Sequence, residues 1–375
     1  MEMIDSPLAS QIEGKIERGQ RLDFRDGLEI LTNFDLMRYG KLANRERERR
    51  HGGRTYYVVN FHLNPTNICV YRCMFCAFRR DEGESGAYFY EPDHAARHCV
   101  EAYARVPFTE IHMVGGMHPS RHLEYSLELL RALKSALPGV HLKAFTAVEI
   151  LFFAQATGQS AASVLERMID AGLDSLPGGG AEIFAPRVRR AICAQKATAE
   201  EWLDVHRTAH RMGLKSTATM LYGHIERPEE VVDHILRIRE LQDETGGFNV
   251  FIPLAFHPEN TNFESTRRIT TGLRDLKMLV LSRLLLDNLS HLKAYWVMLG
   301  ERLAQVALSF GVDDFDGTVG EEKITHMAGA TSPQELPADR IRRIIREAGR
   351  VPVQRDSLYN VVESRELEAS AACAR

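Results

Sequence analysis

Short apolar runs alternate with longer amphipathic stretches along most of this 375-residue chain, and this alternation limits the folds open to it. The apolar runs have the length and the β-branched and aromatic content that buried strands require. We predict strands at residues 56–63, 110–114, 141–146, 174–176, 215–220, 250–254 and 291–297, with a weaker eighth at 312–315. Because strands that alternate with helices form parallel sheets, the sequence predicts an α/β fold.

The stretches between these strands repeat their apolar residues every three or four positions. One contains Leu123, Leu127, Leu130, Leu133 and Leu137, and another contains Val231, Ile235, Ile238 and Leu241. Each pattern places a single apolar stripe on a helix, as a helix that covers a sheet requires. With seven or eight strand–helix units and no long linker, closure into a (β/α)8 TIM-type barrel is the simplest architecture. Functional residues are then expected in the loops that follow the strands.

The barrel is expected to carry extensions at both ends. Residues 1–54 are predicted to form a helical N-terminal extension, and residues 55–300 the barrel core. Residues 301–375 are predicted to complete or cap the barrel with C-terminal helices, one of them at 339–348, and to end in a frayed tail. The Arg and Glu run at 45–50 indicates a solvated helix face rather than a cationic arm, because glutamates interrupt its positive charge.

Composition excludes several classes of protein. The chain is 44% hydrophobic and 26% charged with a formal net charge of −4, which is typical of a globular protein. A nucleic-acid partner is not expected, since nucleic-acid binders are usually basic or carry a basic stripe. The sequence begins without the basic and apolar segments of a signal peptide. The longest apolar stretch, residues 278–286, is too short to span a bilayer. We therefore expect a cytoplasmic protein with no membrane partner.

Three of the six cysteines, Cys69, Cys73 and Cys76, follow the first predicted strand. Their spacing, C-x3-C-x2-C, offers three thiolates from one loop. Structural zinc normally takes four ligands, so a zinc site would need Cys99 or His98, which fall in the next predicted helix. Three thiolates suit three irons of a four-iron cluster and leave the fourth iron open to a small molecule. We predict a catalytic iron–sulfur site; structural zinc, or buried cysteines without a metal, are the alternatives.

The C-x3-C-x2-C motif, with Phe75 before its last cysteine, resembles the signature of radical S-adenosylmethionine (SAM) enzymes. The resemblance implies a radical SAM barrel in which Cys69, Cys73 and Cys76 hold a [4Fe–4S] cluster. The open iron of that cluster binds the amino and carboxylate groups of SAM. One electron then cleaves the sulfur–C5′ bond of SAM and yields a 5′-deoxyadenosyl radical. The cofactor carries the chemistry, while the protein supplies position and excludes water.

Two glycine-rich turns follow predicted strands. Gly115 and Gly116 resemble the family's glycine-rich motif, whose backbone receives the methionine amino group of SAM; a plain tight turn is the alternative. The run 178–180 precedes Glu182. It is not a dinucleotide-binding fingerprint, because that motif requires glycine where Ile183 stands. The run is expected to let Glu182 approach a ligand in the barrel mouth.

The resemblance also suggests further contacts with SAM. By analogy with related barrels, Glu182 is expected to hydrogen-bond the ribose hydroxyls, and Glu149 is a competing ribose ligand. Arg187 or Arg189 is expected to pair with the methionine carboxylate, because the guanidinium fork matches a carboxylate. A solvated surface position is the alternative for both arginines.

Five further segments resemble one branch of the radical SAM family, the branch that acts in menaquinone biosynthesis by the futalosine route. They are residues 64–69, 143–149, 175–183, 241–248 and 251–261. The resemblance implies that the adenosyl radical adds to the vinyl carbon of 3-[(1-carboxyvinyl)oxy]benzoate. The resulting radical attacks the ring, the ether bond breaks and the enolpyruvyl carboxylate is lost. SAM is then a consumed co-substrate.

A substrate with two carboxylates and an aromatic ring requires polar donors and apolar walls. The candidate donors at predicted strand ends are His118, Thr217, Tyr222, His224 and His257, and Arg79 and Arg80 near the cysteines are further candidates. Most of the 15 histidines are expected at the surface or satisfied in the core. His118 and His257 stand out because each lies beside a proline at a predicted sheet edge.

The implied chemistry also requires an electron donor such as flavodoxin or ferredoxin, and a homodimer is a further expectation. Three alternatives remain open. The sister cyclase of the same route and a deazaflavin-synthase-type barrel use the same cofactor on other substrates. A non-catalytic iron–sulfur electron carrier would hold a cluster that does not respond to SAM.

Overall fold

A computed structural model describes residues 7–263 and 270–362. The strands of this part of the chain are β1 Arg54–Val58, β2 Asn60–Leu63, β3 Glu110–Met113, β4 His141–Ala144, β5 Ser175–Leu176, β6 Lys215–Tyr222, β7 Phe248–Ala255, β8 His291–Leu292, β9 Asp314–Gly317 and β10 Val351–Gln354. The predicted frayed tail and Cys373 lie outside the described residues.

Helices separate most of these strands. They are α1 Pro7–Glu17, α2 Phe24–Thr32, α3 Leu36–His51, α4 Pro92–Arg105, α5 Leu123–Ala136, α6 Ala147–Thr157, α7 Ala161–Asp170, α8 Pro186–Ile192, α9 Ala199–Arg211, α10 Pro228–Thr245, α11 Gly272–Leu285, α12 Trp296–Leu299, α13 Glu301–Ala307, α14 Ile324–Met327 and α15 Ala338–Glu347.

Strands β2 to β8 form one seven-stranded parallel sheet in chain order. The predicted α/β architecture is confirmed. The edge strands of this sheet, β2 and β8, do not pair with each other among the described residues. The carboxyl ends of parallel strands share one side of the sheet, so the loops that follow β2 to β7 meet there.

A second, three-stranded parallel sheet has the order β10–β1–β9. The predicted strand at 56–63 is therefore two strands: β1 pairs with residues beyond 313, while β2 begins the main sheet. The weak eighth strand is β9, which pairs with β1 and meets the end of β8 through a single bridge between Lys293 and Asp314. Two sheets thus replace the expected set of eight barrel strands.

The predicted apolar stripes face the core. In α5, Leu123, Leu127, Leu130 and Leu133 are fully buried, and in α10 so are Ile235 and Ile238. Burying one leucine contributes about 1.5–3 kcal/mol relative to leaving it exposed. The α5 helix ends at Ala136, and Leu137 follows as its C-cap. Helical spacing in the sequence therefore located both helices.

The N-terminal extension is helical, as predicted, but its Arg and Glu run is only partly solvated. Arg47 in α3 is fully buried and donates to the carbonyl oxygen of Gly52 at 3.0 Å. Arg50 donates to the carbonyl oxygen of Leu289 at 2.8 Å. The prediction of a solvated face was wrong for these two residues, because α3 packs against α11. The division of the chain at residues 54 and 300 stays a prediction.

No helix within the described ranges is long and apolar enough to cross a membrane.

Candidate active site

The loop after β2, residues 64–80, carries the three clustered cysteines and is called the cysteine loop. Its shape is fixed by side chains that bond to the backbone. Asn64 donates to the carbonyl oxygen of Val114, and Asn67 to that of Gly86, both at 2.8 Å. Backbone bonds between Cys69 and Arg80 (3.1 Å) and between Arg80 and Asn67 (2.9 Å) close the loop on itself. These hydrogen bonds fix the conformation of the loop that carries the cysteines.

Cys69, Cys73 and Cys76 line a cavity of about 330 Å³, called the barrel cavity, at the end of the main sheet. Phe75, Gly115, Gly116, Glu149, Glu182, Thr217 and His257 line the same cavity. These ten residues, all singled out in the sequence, therefore share one space. Cys99 is buried outside the cavity lining, and His98 pairs with Glu321 at 2.9 Å. Cys193 is also buried outside the lining, but it lies close enough to Cys73 to contribute to the raised pKa of that thiol. Neither Cys99 nor His98 joins the cysteine loop.

The cysteine geometry fits an iron–sulfur cluster better than a single zinc ion. Tetrahedral zinc with bonds near 2.3 Å brings its sulfurs to about 3.8 Å from one another. Among the described residues, the one His, Cys, Asp and Glu group whose ligand atoms all lie within 4.8 Å is His51, His291 and Asp313. The three thiols are thus spread more widely than one ion requires.

Burial raises the pKa of the Cys69 thiol, and that of Cys73 to about 12. A thiolate at these positions is stable only beside positive charge, which bound iron supplies. The donor set therefore suits a [4Fe–4S] cluster held by three cysteines.

Backbone close to the cavity leaves room only for glycine at two positions. A Cβ at Gly116 would lie 2.2 Å from the carbonyl oxygen of Ile68, beside the cysteine loop. A Cβ at Gly178 would lie 2.6 Å from the carbonyl oxygen of Thr217. Neither distance is compatible with a side chain, so both turns approach their neighbours through bare backbone.

Glu149 is held by donors of its own chain. Its carboxylate accepts from the backbone N–H of Thr146 at 2.7 Å and from that of Gly115 at 3.3 Å, as part of the capping box of α6. Burial raises its pKa to about 7, and these hydrogen bonds oppose the rise. Glu149 therefore fixes the glycine turn of residues 115 and 116.

Glu182 adopts a left-handed backbone conformation, with φ of 47°. Such a conformation is uncommon for a residue other than glycine, and it occurs often at functional sites. It directs the buried carboxylate into the cavity, where Oε1 accepts from Lys196 Nζ at 2.8 Å. The residue that the sequence singled out therefore does reach the barrel mouth.

Lys196 is a cavity residue that the sequence did not reveal. Its Nζ lies 5.0 Å from the centre of the Phe75 ring, a cation–π distance, and it pairs with Glu182. Desolvation would lower the pKa of Lys196, but the Cys73 sulfur and the Glu182 carboxylate raise it overall. A lone lysine between α8 and α9 carries no motif, so only the folded chain shows its position.

Several predicted donors lie away from the cavity lining. His118 packs against Phe89, and its Nδ1 accepts from the backbone N–H of Ser120 at 3.2 Å. The Tyr222 hydroxyl donates to Asp275 at 2.8 Å. The His224 ring donates through Nε2 to the carbonyl oxygen of Leu221 at 2.9 Å. These three side chains are engaged by their own fold, and their predicted roles toward substrate are not supported.

The predicted carboxylate-binding arginines are also engaged elsewhere. Arg187 pairs with Glu230 at 2.6 Å. Arg189 is buried and donates to the carbonyl oxygen of Ala181 at 2.6 Å. Neither arginine lines the cavity, and both side chains are engaged by other parts of the chain, which does not support a role in binding SAM. Near the cysteines, Arg79 lines the cavity and pairs with Asp81, while Arg80 donates to the carbonyl oxygen of Ala77 at 2.9 Å.

The deeper wall of the barrel cavity is polar, which the sequence analysis did not predict. It is lined by Asn60, His62, His112, Lys143, Lys293 and Asp316. The available signal was alternation: polar residues stand at every second position of β2 and β3, where an apolar interior would be expected. We interpret these positions as the lining of a ligand space.

Comparison with known families gives the class of protein. Residues 63–238 match the Radical SAM superfamily, and residues 245–367 match the CofH/MqnC C-terminal region. The fold resembles the FeFe-hydrogenase maturase HydG from Carboxydothermus hydrogenoformans, with a TM-score of 0.74 at 17% identity over 94% of this chain and 80% of that chain. It also resembles methylornithine synthase (PylB), with a TM-score of 0.72 at 15% identity over 96% and 99% of the two chains.

Full-length sequence relatives show which enzymes of this superfamily the chain is most similar to among those compared below. The chain is 49% identical to aminodeoxyfutalosine synthase of Thermus thermophilus, over 96% of this chain and 98% of the relative. It is 43% identical to aminodeoxyfutalosine synthase of Streptomyces coelicolor, over 97% and 96%. It is 38% identical to the 5-amino-6-(D-ribitylamino)uracil–L-tyrosine 4-hydroxyphenyl transferase of Methanopyrus kandleri, over 96% and 97%.

The chain therefore belongs to the radical SAM superfamily, and it is an enzyme that uses a [4Fe–4S] cluster and SAM. Within that superfamily it is one of the proteins that carry the CofH/MqnC C-terminal region. The predicted fold and cofactors are confirmed. The electron-carrier alternative is not favoured, because the full-length relatives are named as enzymes.

Proposed function

We propose that this enzyme catalyses the aminodeoxyfutalosine synthase reaction. It would transfer the 5′-deoxyadenosyl group of SAM to 3-[(1-carboxyvinyl)oxy]benzoate and give 6-amino-6-deoxyfutalosine and methionine. The observation that carries the proposal is the 49% identity to a synthase over 96% of this chain. The reaction would serve menaquinone biosynthesis, with a flavodoxin or ferredoxin as electron donor.

Cys69, Cys73 and Cys76 would hold the cluster. Bound there, a [4Fe–4S] cluster supplies the electron that cleaves the sulfur–C5′ bond of SAM. Gly115 and Gly116 offer backbone at the cavity wall for the methionine amino group. In the proposal, these five residues would hold the reacting end of SAM beside the cysteine loop.

The remaining SAM contacts in the proposal come from acidic and aromatic residues. Glu182, held by Lys196, faces the cavity and is suited to the ribose hydroxyls. Phe75 offers an aromatic ring at the cavity wall, and Glu149 sets the shape of the glycine turn. We retain Glu182 over Glu149 as the ribose ligand, because both Glu149 oxygens already accept from the chain itself.

The same cavity would accommodate the substrate ring. Its wall includes Ile252, Leu254, Phe256 and Met298, which give an apolar surface. Thr217 and His257 are the predicted donors that lie on this wall. His257 Nε2 contacts the carbonyl oxygen of Met298 at 3.1 Å, which orients its ring. An apolar wall with a few polar groups suits an aromatic carboxylate.

A second candidate is supported by the 38% identity to a 4-hydroxyphenyl transferase, which its name links to tyrosine and 5-amino-6-(D-ribitylamino)uracil. The shared CofH/MqnC C-terminal region is compatible with both candidates and with the sister cyclase. Substrate choice therefore has to be tested directly.

The test is anaerobic reconstitution followed by incubation with reductant, SAM and one candidate substrate set at a time. With the enol ether, we expect a product that has gained one 5′-deoxyadenosyl group and lost one carboxyl group, with one methionine for each product. Free 5′-deoxyadenosine in equal amount to methionine would contradict the proposal, as would turnover only with tyrosine and the ribitylaminouracil. Cys73→Ala should give no product, while Cys99→Ala, at a buried cysteine away from the cavity, should remain active.

A further inference from the structure

Three polar side chains form a row across the deep wall of the barrel cavity. His62 on β2 is in register with His112 on β3, and His112 is in register with Lys143 on β4. Because partners in register on parallel strands point to the same face, the three side chains stand side by side. All three line the cavity. We call this set the lumen row.

The two imidazoles of the lumen row have hydrogen-bonding atoms that no side chain or backbone group of the described residues engages. The His62 and His112 rings lie with their centres 4.7 Å apart, and neither ring has a hydrogen-bond partner within the described residues. Lys143 Nζ already donates to Glu110 at 2.6 Å. Polar groups in a cavity are normally paired with protein, water or ligand, so two open imidazoles point to a ligand group between or beside them.

The surroundings of the two imidazoles favour their neutral form. Desolvation lowers the pKa of His62, and that of His112 well below its usual value, and nearby Lys143 acts in the same direction. Each ring then offers one N–H donor. Two N–H donors side by side suit a carboxylate, which accepts several hydrogen bonds, and the Lys143 ammonium beside them is shared with Glu110.

The carboxylates near the lumen row do not prevent this arrangement, because each has its own cation or donor. Glu110, which is fully buried, pairs with Lys143 at 2.6 Å. Asp316 accepts from Lys293 at 2.5 Å. Glu322 contacts His326 at 2.6 Å and accepts from the backbone N–H of Thr325 at 2.8 Å. The acidic groups are therefore compensated inside the fold.

The row lies deeper than the SAM-binding loops. His62 precedes the last residue of β2, so the whole cysteine loop comes after it. His112 stands three residues before Gly115, about 10 Å along an extended chain. A ligand that reacts near the cysteine loop would reach the lumen row with its far end. A substituted benzene ring is long enough to span much of this distance.

We propose that His62 and His112, supported by Lys143, bind the benzoate carboxylate of the substrate, the carboxylate remote from the carbon that receives the adenosyl group. This inference rests on the proposed function. It assigns the lumen row to substrate recognition and leaves the enolpyruvyl carboxylate to the upper part of the cavity.

The test is a thermodynamic cycle in which the imidazole of the enzyme and the benzoate carboxylate of the ligand are removed separately and together. Wild type, His62→Leu and His112→Leu are compared with the dicarboxylate and with its analogue whose benzoate group is a neutral carboxamide. Equilibrium dialysis of each labelled compound, with holoenzyme and SAM but no reductant, gives Kd, and turnover gives KM and kcat. His62→Gln and His112→Gln keep a donor and serve if a leucine variant loses its cluster. The control is His94→Leu, at an exposed position of α4.

For the dicarboxylate we expect Kd and KM to rise roughly 10- to 100-fold in the leucine variants. For the carboxamide we expect a change of less than about threefold, since interacting partners give non-additive losses. Gln variants should lose less, and His94→Leu nothing. Equal losses for both compounds, or none, would overturn the inference. If the wild type makes the adenosylated product but the leucine variants lose equally for both compounds, the proposed function stands and the role of the lumen row is refuted. If the wild type makes no adenosylated product, the proposed function is refuted and this inference with it.

Discussion

Lys196, whose side chain is 14% exposed, places a positive charge between the Glu182 carboxylate and the cysteine loop. The potential of an iron–sulfur cluster depends on the net charge and hydrogen bonds around it. Lys196 is therefore placed to affect both the cluster and the orientation of Glu182.

Replacing Lys196 with Met should make the midpoint potential of the cluster more negative, because a cation near Cys73 favours the reduced form. The measurement is a redox titration followed by electron-spin resonance, without SAM. Lys196→Arg keeps the charge and should retain most of the wild-type potential. An unchanged potential in Lys196→Met would show that the ammonium does not act on the cluster.

Glu149 gives a pH-dependent prediction. Its folded-state pKa of about 7 is above the ordinary 4.5, so the folded state favours the protonated form. Its contribution to stability is fully present below pH 4.5 and is lost as the pH rises to about 7. Relative to Glu149→Gln, the wild type should lose up to about 3 kcal/mol between these limits. Thermal midpoints of both proteins from pH 5 to 8 test this; a constant difference would contradict it.

Asp313 connects three basic side chains at the amino ends of the last barrel strands. It pairs with Arg283, whose side chain is 1% exposed, contacts His291 at 2.6 Å and lies 3.5 Å from His51 Nε2. Desolvation would raise the pKa of Asp313, but Arg283 and His291 lower it overall. The stabilising ionised form is present above about pH 4 and is lost below it.

Asp313→Asn should lower the free energy of unfolding by about 3–5 kcal/mol, because it leaves the Arg283 guanidinium buried without its counter-charge. The exposed pair of Asp204 and Arg207 provides the control, since Asp204→Asn should cost less than about 1 kcal/mol. Denaturant unfolding at pH 7 gives both values. Equal losses in the two variants would mean that the Arg283 pair contributes no more than a surface pair.

At the scale of the elements, the glycine turn after β3 lies against the cysteine loop. Gly116→Ala would bring a Cβ to 2.2 Å from the carbonyl oxygen of Ile68, so the loop has to shift. We expect this variant to retain much less iron after reconstitution than wild type. Gly139→Ala is the matched control, because nothing lies within 4 Å of its added Cβ. Wild-type iron content in Gly116→Ala would show that the close approach is not needed.

Sequence patterns located a helix or loop well when all the residues of the pattern lie within that one element. The leucine spacing located α5, and the cysteine spacing singled out three residues that line one cavity. The apolar run at 56–63 has no glycine or proline to mark a break, and its division after Val58 depends on partners near residues 314 and 351. Sequence spacing carries no information about such distant pairing.

Only part of the candidate site was predictable from the sequence. Glu182 and Gly116 follow strands directly, so their place at the barrel mouth followed from topology. Arg189 and Tyr222 were expected there too, but neighbouring carbonyl and carboxylate groups take up their donors. The lumen row was missed because each of its members lies inside a strand and is adjacent to the others only in the folded sheet.

At the scale of the whole molecule, the sheet β10–β1–β9 connects the two ends of the chain to the cavity. Strand β1 lies between two C-terminal strands, and β9 contributes Asp316 to the cavity lining. Stability of this small sheet and integrity of the ligand space are therefore coupled.

Val353→Asp should lower the free energy of unfolding by about 3 kcal/mol or more, because Val353 is 1% exposed and a carboxylate there has no partner. Val351 in the same strand is 43% exposed, so Val351→Asp should change stability by less than about 0.5 kcal/mol. Thermal unfolding compares the two. Similar losses would mean that strand β10 tolerates charge on either side.

The pairing of β1 also governs the order of events during protein synthesis. Its partners, residues 314–317 and 351–354, leave the ribosome long after residue 58. A nascent chain thus emerges with β1 unpaired, and this strand gains both of its partners only after residues 351–354 have been synthesised. Premature termination before residue 351 would leave an open strand edge, the kind of surface that promotes aggregation.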